Sequence, residues 1–283
     1  NPHPQYQLRG AVTSIAANTA LSAAQLGLVH ADASSAAVTA TLPPSNAALG
    51  VRDVIVRRTD NTGNRLTVRA AGDDRIKFHT AKRAEGYPFF YLLGAGDYWH
   101  LRSDGAGNWW LIGRLDGTAL GRPVFETTTM VSPGGWGVFA GTLFTRAEWP
   151  WLWDHAQQSG MLTTEAARVG MEGGWTSGDG VSTFRGPEGR GEFLRVLDDD
   201  RGVDASRAAG SWQADSMQGH HHRFHDRAYG GEAGSASTGS GVVDRSRDIA
   251  VGVAITDGVN GEPRIGSETK PRSVAYPGRI KLI

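Results

Sequence analysis

Short runs of alternating apolar and polar residues recur through the first 115 positions, and period two is the signature of strands half buried in a sheet. Val38-Thr39-Ala40-Thr41-Leu42 is one such run, ended by Pro43-Pro44-Ser45-Asn46. Val51–Arg57 and Leu66–Val68 read as two more, and Asp60-Asn61-Thr62-Gly63-Asn64 between them carries the turn residues of a hairpin. Phe89–Leu93, Tyr98–Leu101 and Trp109–Ile112 follow, the last two joined by a second hairpin-like loop, Ser103–Asn108. Strands this short at this spacing predict an all-β sandwich over roughly residues 11–115. Its aromatics read as core, with a stacking platform for sugars as the alternative.

The period changes once. From Arg146 to Ser159, Trp149, Leu152, Trp153 and Ala156 fall on one helical stripe. Thr145 and Glu148 have capping-box spacing, and Gly160 is placed to end the helix. Pro150 sits late for that start, so a helix beginning at the proline is the competing reading. Beyond it, Gly178–Phe184 and Gly189–Arg195 read as glycine-punctuated short strands. Tyr229–Gly241 is a Gly/Ser/Ala/Thr surface segment. Val242-Val243 and Ile249–Ile255 return to strand pattern, Val259–Glu262 reads as a turn, and Arg279–Ile283 as a closing strand.

Composition agrees with a fold of turns and loops. Glycine numbers 39 of 283 residues, about twice ordinary usage, while 39% of residues are hydrophobic, enough for real cores. Lysine and arginine together equal aspartate and glutamate at 29 each, so no net field draws the chain to nucleic acid or an anionic membrane. No apolar run approaches the ~20 residues that cross a bilayer. There is no cysteine, which removes disulfides and Cys-type zinc sites. The opening Asn1-Pro2-His3-Pro4-Gln5-Tyr6 has no signal-peptide character and no initiating Met, so the expectation is the C-terminal part of a longer, cytosolically folded protein.

The one local concentration of chemistry is Gln218-Gly219-His220-His221-His222-Arg223-Phe224-His225, with four of the nine histidines. In an extended strand His220 and His222 leave the same face and His221 the other. Two imidazoles do not complete a metal site, but three copies on a three-fold axis would present six nitrogens to one ion. As a solvated surface cluster the same residues need no metal at all.

Eight pieces of the second half, in order, resemble the phage tail-collar fold found at the ends of tail fibres. Gly134–Leu143 is similar to its opening "GW…DG" segment, with Ala140 where the family often has Asp. The helix has the "RxExPxLW" character, and Gly178–Phe184 resembles "GDGxTTF". Gly189–Arg195 resembles "LRGRFLR", with Glu192 at the usual Arg position. Gly202-Val203-Asp204 and Gly210–Asp215 resemble the "GVD…GSYQAD" pair, Gln218–His222 resembles "QxHxH", and Glu268–Ala275 resembles "ETRPRNVA". Residues 1–115 resemble, less specifically, the knobs that precede the tip in fibres of contractile phages and R-type bacteriocins (tailocins).

The resemblance implies a mainly β homotrimeric fibre tip in four parts. These are a shaft or linker over 1–10, a sandwich knob over 11–117, a tail-collar domain over 118–225 and 268–283 with one short helix, and a distal receptor-binding insertion over 226–267. It implies one structural transition-metal ion per trimer, iron or zinc, held by His220 and His222 of each chain, with His221 and His225 leaving the register ambiguous. It also implies adhesion to bacterial surface polysaccharide such as lipopolysaccharide, and attachment to an upstream shaft and baseplate. The protein would be assembled in the host cytoplasm and act outside after lysis, with neither nucleic-acid binding nor membrane insertion. Aromatic faces and planar charged groups suit sugars, so Phe224, Arg227, Tyr229, Asp244, Arg245, Arg247, Asp248, Asn260 and Glu262 are the candidate receptor contacts. A depolymerase would need two carboxylates across a groove. Asp198-Asp199-Asp200 reads instead as a turn, and no nucleophile or phosphate motif occurs, so the expectation is not an enzyme. The alternatives are that tail-spike-like depolymerase and a non-adhesive structural part of the tail.

Overall fold

A computed structural model of the protein describes residues 10–130, 133–216, 256, 258–259, 266 and 269–283. By its contacts the chain divides into two units, one running to Gln213 and resuming at Ala275–Ile283, the other spanning Ala214–Val274.

The first unit begins with strands that change sheet at every turn. β1 (Ala11–Ile15), β3 (Gly27–Ala31) and β5 (Asp53–Arg58) run parallel to one another in one sheet. β2 (Thr19–Ala20), β4 (Val38–Thr41) and β6 (Leu66–Arg69) run parallel in the other. β7 (Arg75–Lys77) lies at the edge of the first sheet, parallel to β10 (Asn108–Arg114), and β8 (Phe89–Leu92) closes the second antiparallel to β6. β9 (Tyr98–Ser103) joins β5 to β10, both antiparallel, giving six strands in the first sheet and four in the second. The facing sides meet in a dry core, where Phe90 of the second sheet stacks on Trp99 of the first at 3.8 Å.

The loop 60–64 is therefore not a hairpin turn but a crossover between sheets. Arg58 explains the difference. Its guanidinium is 2% exposed and donates to the carbonyls of Leu92, Thr62 and Asn64 and, at 2.7 Å, to the Asp60 carboxylate. The turn residues wrap a buried cation rather than reverse a strand pair. Burial alone would raise the Asp60 pKa, but the bonds from Arg58 and Thr62 hold it well below the ordinary carboxylate range. The second loop, 103–108, is a hairpin, as its sequence predicts.

The chain then forms β11 (Pro123–Phe125), β12 (Trp136–Val138), β13 (Leu143–Thr145), the helix α1 (Pro150–Gln158), β14 (Leu162–Thr163), β15 (Trp175–Thr176) and β16 (Thr183–Arg185). The last strand, β17 (Gly278–Lys281), lies between β11 and β12, while β13, β16, β15 and β14 form a separate small sheet. The helix starts at the proline, not at Arg146: residues 145–149 form a turn, and Trp149 stands at the cap without a side-chain bond. The capping box is absent because Glu148 pairs with Arg65 at 2.8 Å instead. Gly160, at φ +70°, ends the helix.

The buried face of α1 also differs from the predicted stripe. Trp151, outside that stripe, is fully buried beside Leu152 and Ala156, whereas Trp149 and Trp153 are half-buried. Trp151 meets the rings of Phe78, Tyr87, Phe89 and Tyr91 and donates its indole N–H to the Leu282 carbonyl at 2.9 Å. One side chain thus pins the helix and the C-terminal strand region to the two-sheet core. The coarse expectation, a mainly β chain with a single helix, holds for the described residues.

Gly189–Arg195 forms no strand. Among the described residues, no backbone hydrogen bond joins residues 193–197 to another segment. The Asp198-Asp199-Asp200 run is a turn: Asp198 accepts from the Gly202 and Val203 amides, and Asp199 and Asp200 have positive φ. In the second unit, the Asp215 carboxylate accepts the Thr269 amide at 2.8 Å. The strands predicted over 242–243 and 249–255 lie outside the described residues, as does most of the turn at 259–262.

Candidate functional site

The predicted metal ligands, His220 and His222, lie outside the described residues, and so do the predicted receptor contacts Phe224, Arg227, Tyr229, Asp244, Arg245, Arg247, Asp248, Asn260 and Glu262. Among the described residues, no group of three or more His, Asp or Glu side chains is arranged to hold a metal ion.

What the first unit does present is a groove of about 770 Å³, within the range of ligand and partner sites. Phe139 and Met161 line it from the folded body, and Phe193, Leu194, Val196 and Trp212 from the segment that has no strand. Three of the sequence pieces contribute to it: Gly134–Leu143 through Phe139, Gly189–Arg195, and Gly210–Asp215. The apolar residues of the segment are open to water: Phe193 is 61% exposed, Val196 91% and Trp212 47%. Two backbone bonds hold the far side of the segment in place, from Gly173 N–H to the Gly210 carbonyl and from Trp212 N–H to the Gly170 carbonyl, each 2.9 Å. A side chain at Gly210 would collide with Gly173 and Gly174, so glycine is what permits that approach.

Several of the charges around the groove are paired with one another. Arg190 holds Glu188 at 2.6 Å, and Arg195 and Arg207 share Asp204. These bonds lower the pKa of both carboxyls, so both are ionised at neutral pH and hold no proton to donate. Glu172 accepts the Gly170 amide with one oxygen, while the other is buried without a partner among the described residues. Beside these paired charges, the large side chains that this surface exposes are mostly apolar.

A second polar cluster lies inside the same unit, where β17 meets the two-sheet core. Lys281 is fully buried and donates to the carbonyls of Asp116 and Gly134, with the Asp116 carboxylate at 3.4 Å. Burial and the Arg114 charge push its pKa down to about 8. Burial lowers His79 to about 3 and, with the Lys82 ammonium 3.0 Å from Nδ1, His155 to about 4. Both rings are therefore neutral at pH 7. Sequence reading missed this cluster because its members are scattered from position 79 to 281, with no spacing to mark them.

The Gly178–Phe184 piece has a local structural role. Asp179 accepts the amides of Val181, Ser182 and Thr183 and so folds the turn that delivers Phe184, fully buried, to the core. No protein-family model matches the chain, and no curated protein matches it significantly.

Proposed function

We propose that the chain is the receptor-binding end of a phage or tailocin tail fibre, adhering as a homotrimer to bacterial surface glycan. The observation that carries this reading is the segment 193–197. Four of its five residues are exposed and apolar, its backbone has no partner segment among the described residues, and it borders an apolar groove. A chain that worked alone would leave this surface to water, which monomeric proteins avoid. Further copies of the chain would cover it. The ordered tail-collar pieces give the same direction, since three of them contribute residues to the groove.

Trimer formation would bring His220 and His222 of three chains around one axis, and six imidazole donors suit a first-row ion, iron or zinc, in a structural role. Three equivalent glycan sites on the 226–267 insertion would reinforce one another, so modest single-site affinity suffices. The purified chain is expected to have the native mass of three copies, with one iron or zinc per trimer lost in the His220→Ala/His222→Ala variant. It is expected to bind lipopolysaccharide without releasing reducing ends. A metal-free monomer would overturn the trimeric reading, and reducing-end release would convert the adhesin into a depolymerase.

A further inference from the structure

We propose that the outer face of the six-stranded sheet carries a separate binding site for a carboxylated sugar, a hexuronate unit of an acidic polysaccharide, centred on Trp110. Its residues belong to one chain and lie apart in sequence from the histidine cluster.

Trp109 and Trp110 are neighbours with opposite fates: Trp109 is fully buried in the sandwich core, while Trp110 is 44% exposed on the outer face. Core packing therefore accounts for the first and not the second. The register puts Lys77, Trp110, Arg102 and Asp53 side by side across β7, β10, β9 and β5, a single row in which the indole has a cation on each side. Lys77 is held in place by the Ala84 carbonyl at 2.9 Å, with its ammonium 5.9 Å from the indole centroid and two N–H groups still to give. Arg102 is locked in a two-bond pair with Asp53, at 2.7 and 2.8 Å.

The indole is pre-set as well as exposed. Its N–H donates to Asp104 at 3.1 Å, and Asp104 is itself clamped in the 103–108 hairpin by the amides of Ala106 and Asn108 and by the Asn108 side chain. A ring that need not be ordered on binding loses less entropy when a ligand arrives. One flat indole bordered by charges matches the apolar face of one pyranose ring. Exposed Ile112, two residues along β10, adds apolar surface, while the cations on both sides of the ring favour an acidic sugar over an apolar protein partner. A carboxylate carried directly on the pyranose is the charge-assisted partner that Lys77 can take, its ammonium lying over the ring 5.9 Å from the centroid.

The test is calorimetric titration of the full chain with trigalacturonate, with neutral maltotriose as the comparison. Saturable binding to trigalacturonate is expected, weakened by salt and stronger than to maltotriose. Trp110→Ala should weaken it by about tenfold or more, and Lys77→Gln by several-fold with loss of the salt dependence. Unchanged far-UV circular dichroism should accompany both variants, since both side chains lie on the outer face. Absence of binding to the native chain would overturn the proposal, as would native affinity in Trp110→Ala. Equal affinity for maltotriose together with an indifferent Lys77→Gln would overturn the carboxylate assignment.

Discussion

Residues 53–114 and residues 191–213 are both rich in large apolar side chains, and the protein treats them in opposite ways. In the first stretch Val54, Val56, Phe90, Trp99 and Trp109 are buried between two hydrogen-bonded sheets, and the one buried cation, Arg58, has its guanidinium satisfied by carbonyls and Asp60. In the second, Phe193, Leu194 and Val196 stand in water on a backbone without a ladder. Hydrophobicity alone does not decide burial. A strand brings its side chains inside only when a neighbour accepts its backbone groups, and the first stretch finds such neighbours within its own chain.

The largest effect that can break this comparison lies at the join between the core and the helix. Trp151→Ala removes a fully buried indole, its contacts with five rings and its bond to Leu282, and is expected to cost ~3–5 kcal/mol. Because Trp151 touches the sandwich and the C-terminal strand region together, calorimetry should show one transition for both, moved to lower temperature. Two separate transitions in the native protein would mean that the sandwich and the C-terminal strand region fold independently.

A medium effect comes from acid. His79 and His155 are held neutral by burial, with pKa values lowered from 6.5 to about 3 and about 4. For a base lowered in the folded state, the unfolded chain takes up protons first. Stability is therefore fully present above pH 6.5 and falls as pH drops from 6.5 toward 4 and then 3. Lys281 is charged throughout this window, since its pKa of about 8 lies above it. Asp104 and Asp116, lowered to about 2, weaken the fold only below their ordinary range. Urea midpoints measured across pH 4–7 should thus slope downward with acid, and His155→Gln, which keeps an acceptor for Lys82, should flatten the slope. A flat native profile over that range would show that these imidazoles are open to water.

The alternation in residues 38–112 made most strands of the two sheets legible, because each strand has one wet and one dry face. It did not disclose their pairing. Period two is the same whether the next strand returns beside its predecessor or crosses to the other sheet, and the deciding group, Arg58, looks like any surface arginine in the sequence. The helix was legible, and so were Leu152 and Ala156 on its buried face, but the fully buried Trp151 was passed over for the half-buried Trp149 and Trp153, since three tryptophans in five residues satisfy more than one stripe. Of the candidate site, the residues singled out by chemistry fall outside the described part of the chain. The groove was legible only as motif fragments, because its walls come from segments that the sequence separates. Trp110 was grouped with the core aromatics. Its strand position alone, one residue from Trp109, was the signal that it faces outward.

The smallest effect on the folded body is expected where the contrast is sharpest. Phe193→Ser with Leu194→Ser removes two apolar side chains that make no core, so amide hydrogen exchange of β5 and β9 should stay within about threefold of native, equivalent to under ~1 kcal/mol. If the proposed trimer forms, the same variant should lose its three-chain mass, because those side chains are the ones a neighbouring copy would cover. The two readouts separate the explanations. Faster exchange with intact mass would assign the segment to the chain's own core. Native exchange with native mass would leave it as solvent-facing loop, and the groove would then have to be filled by something other than another copy.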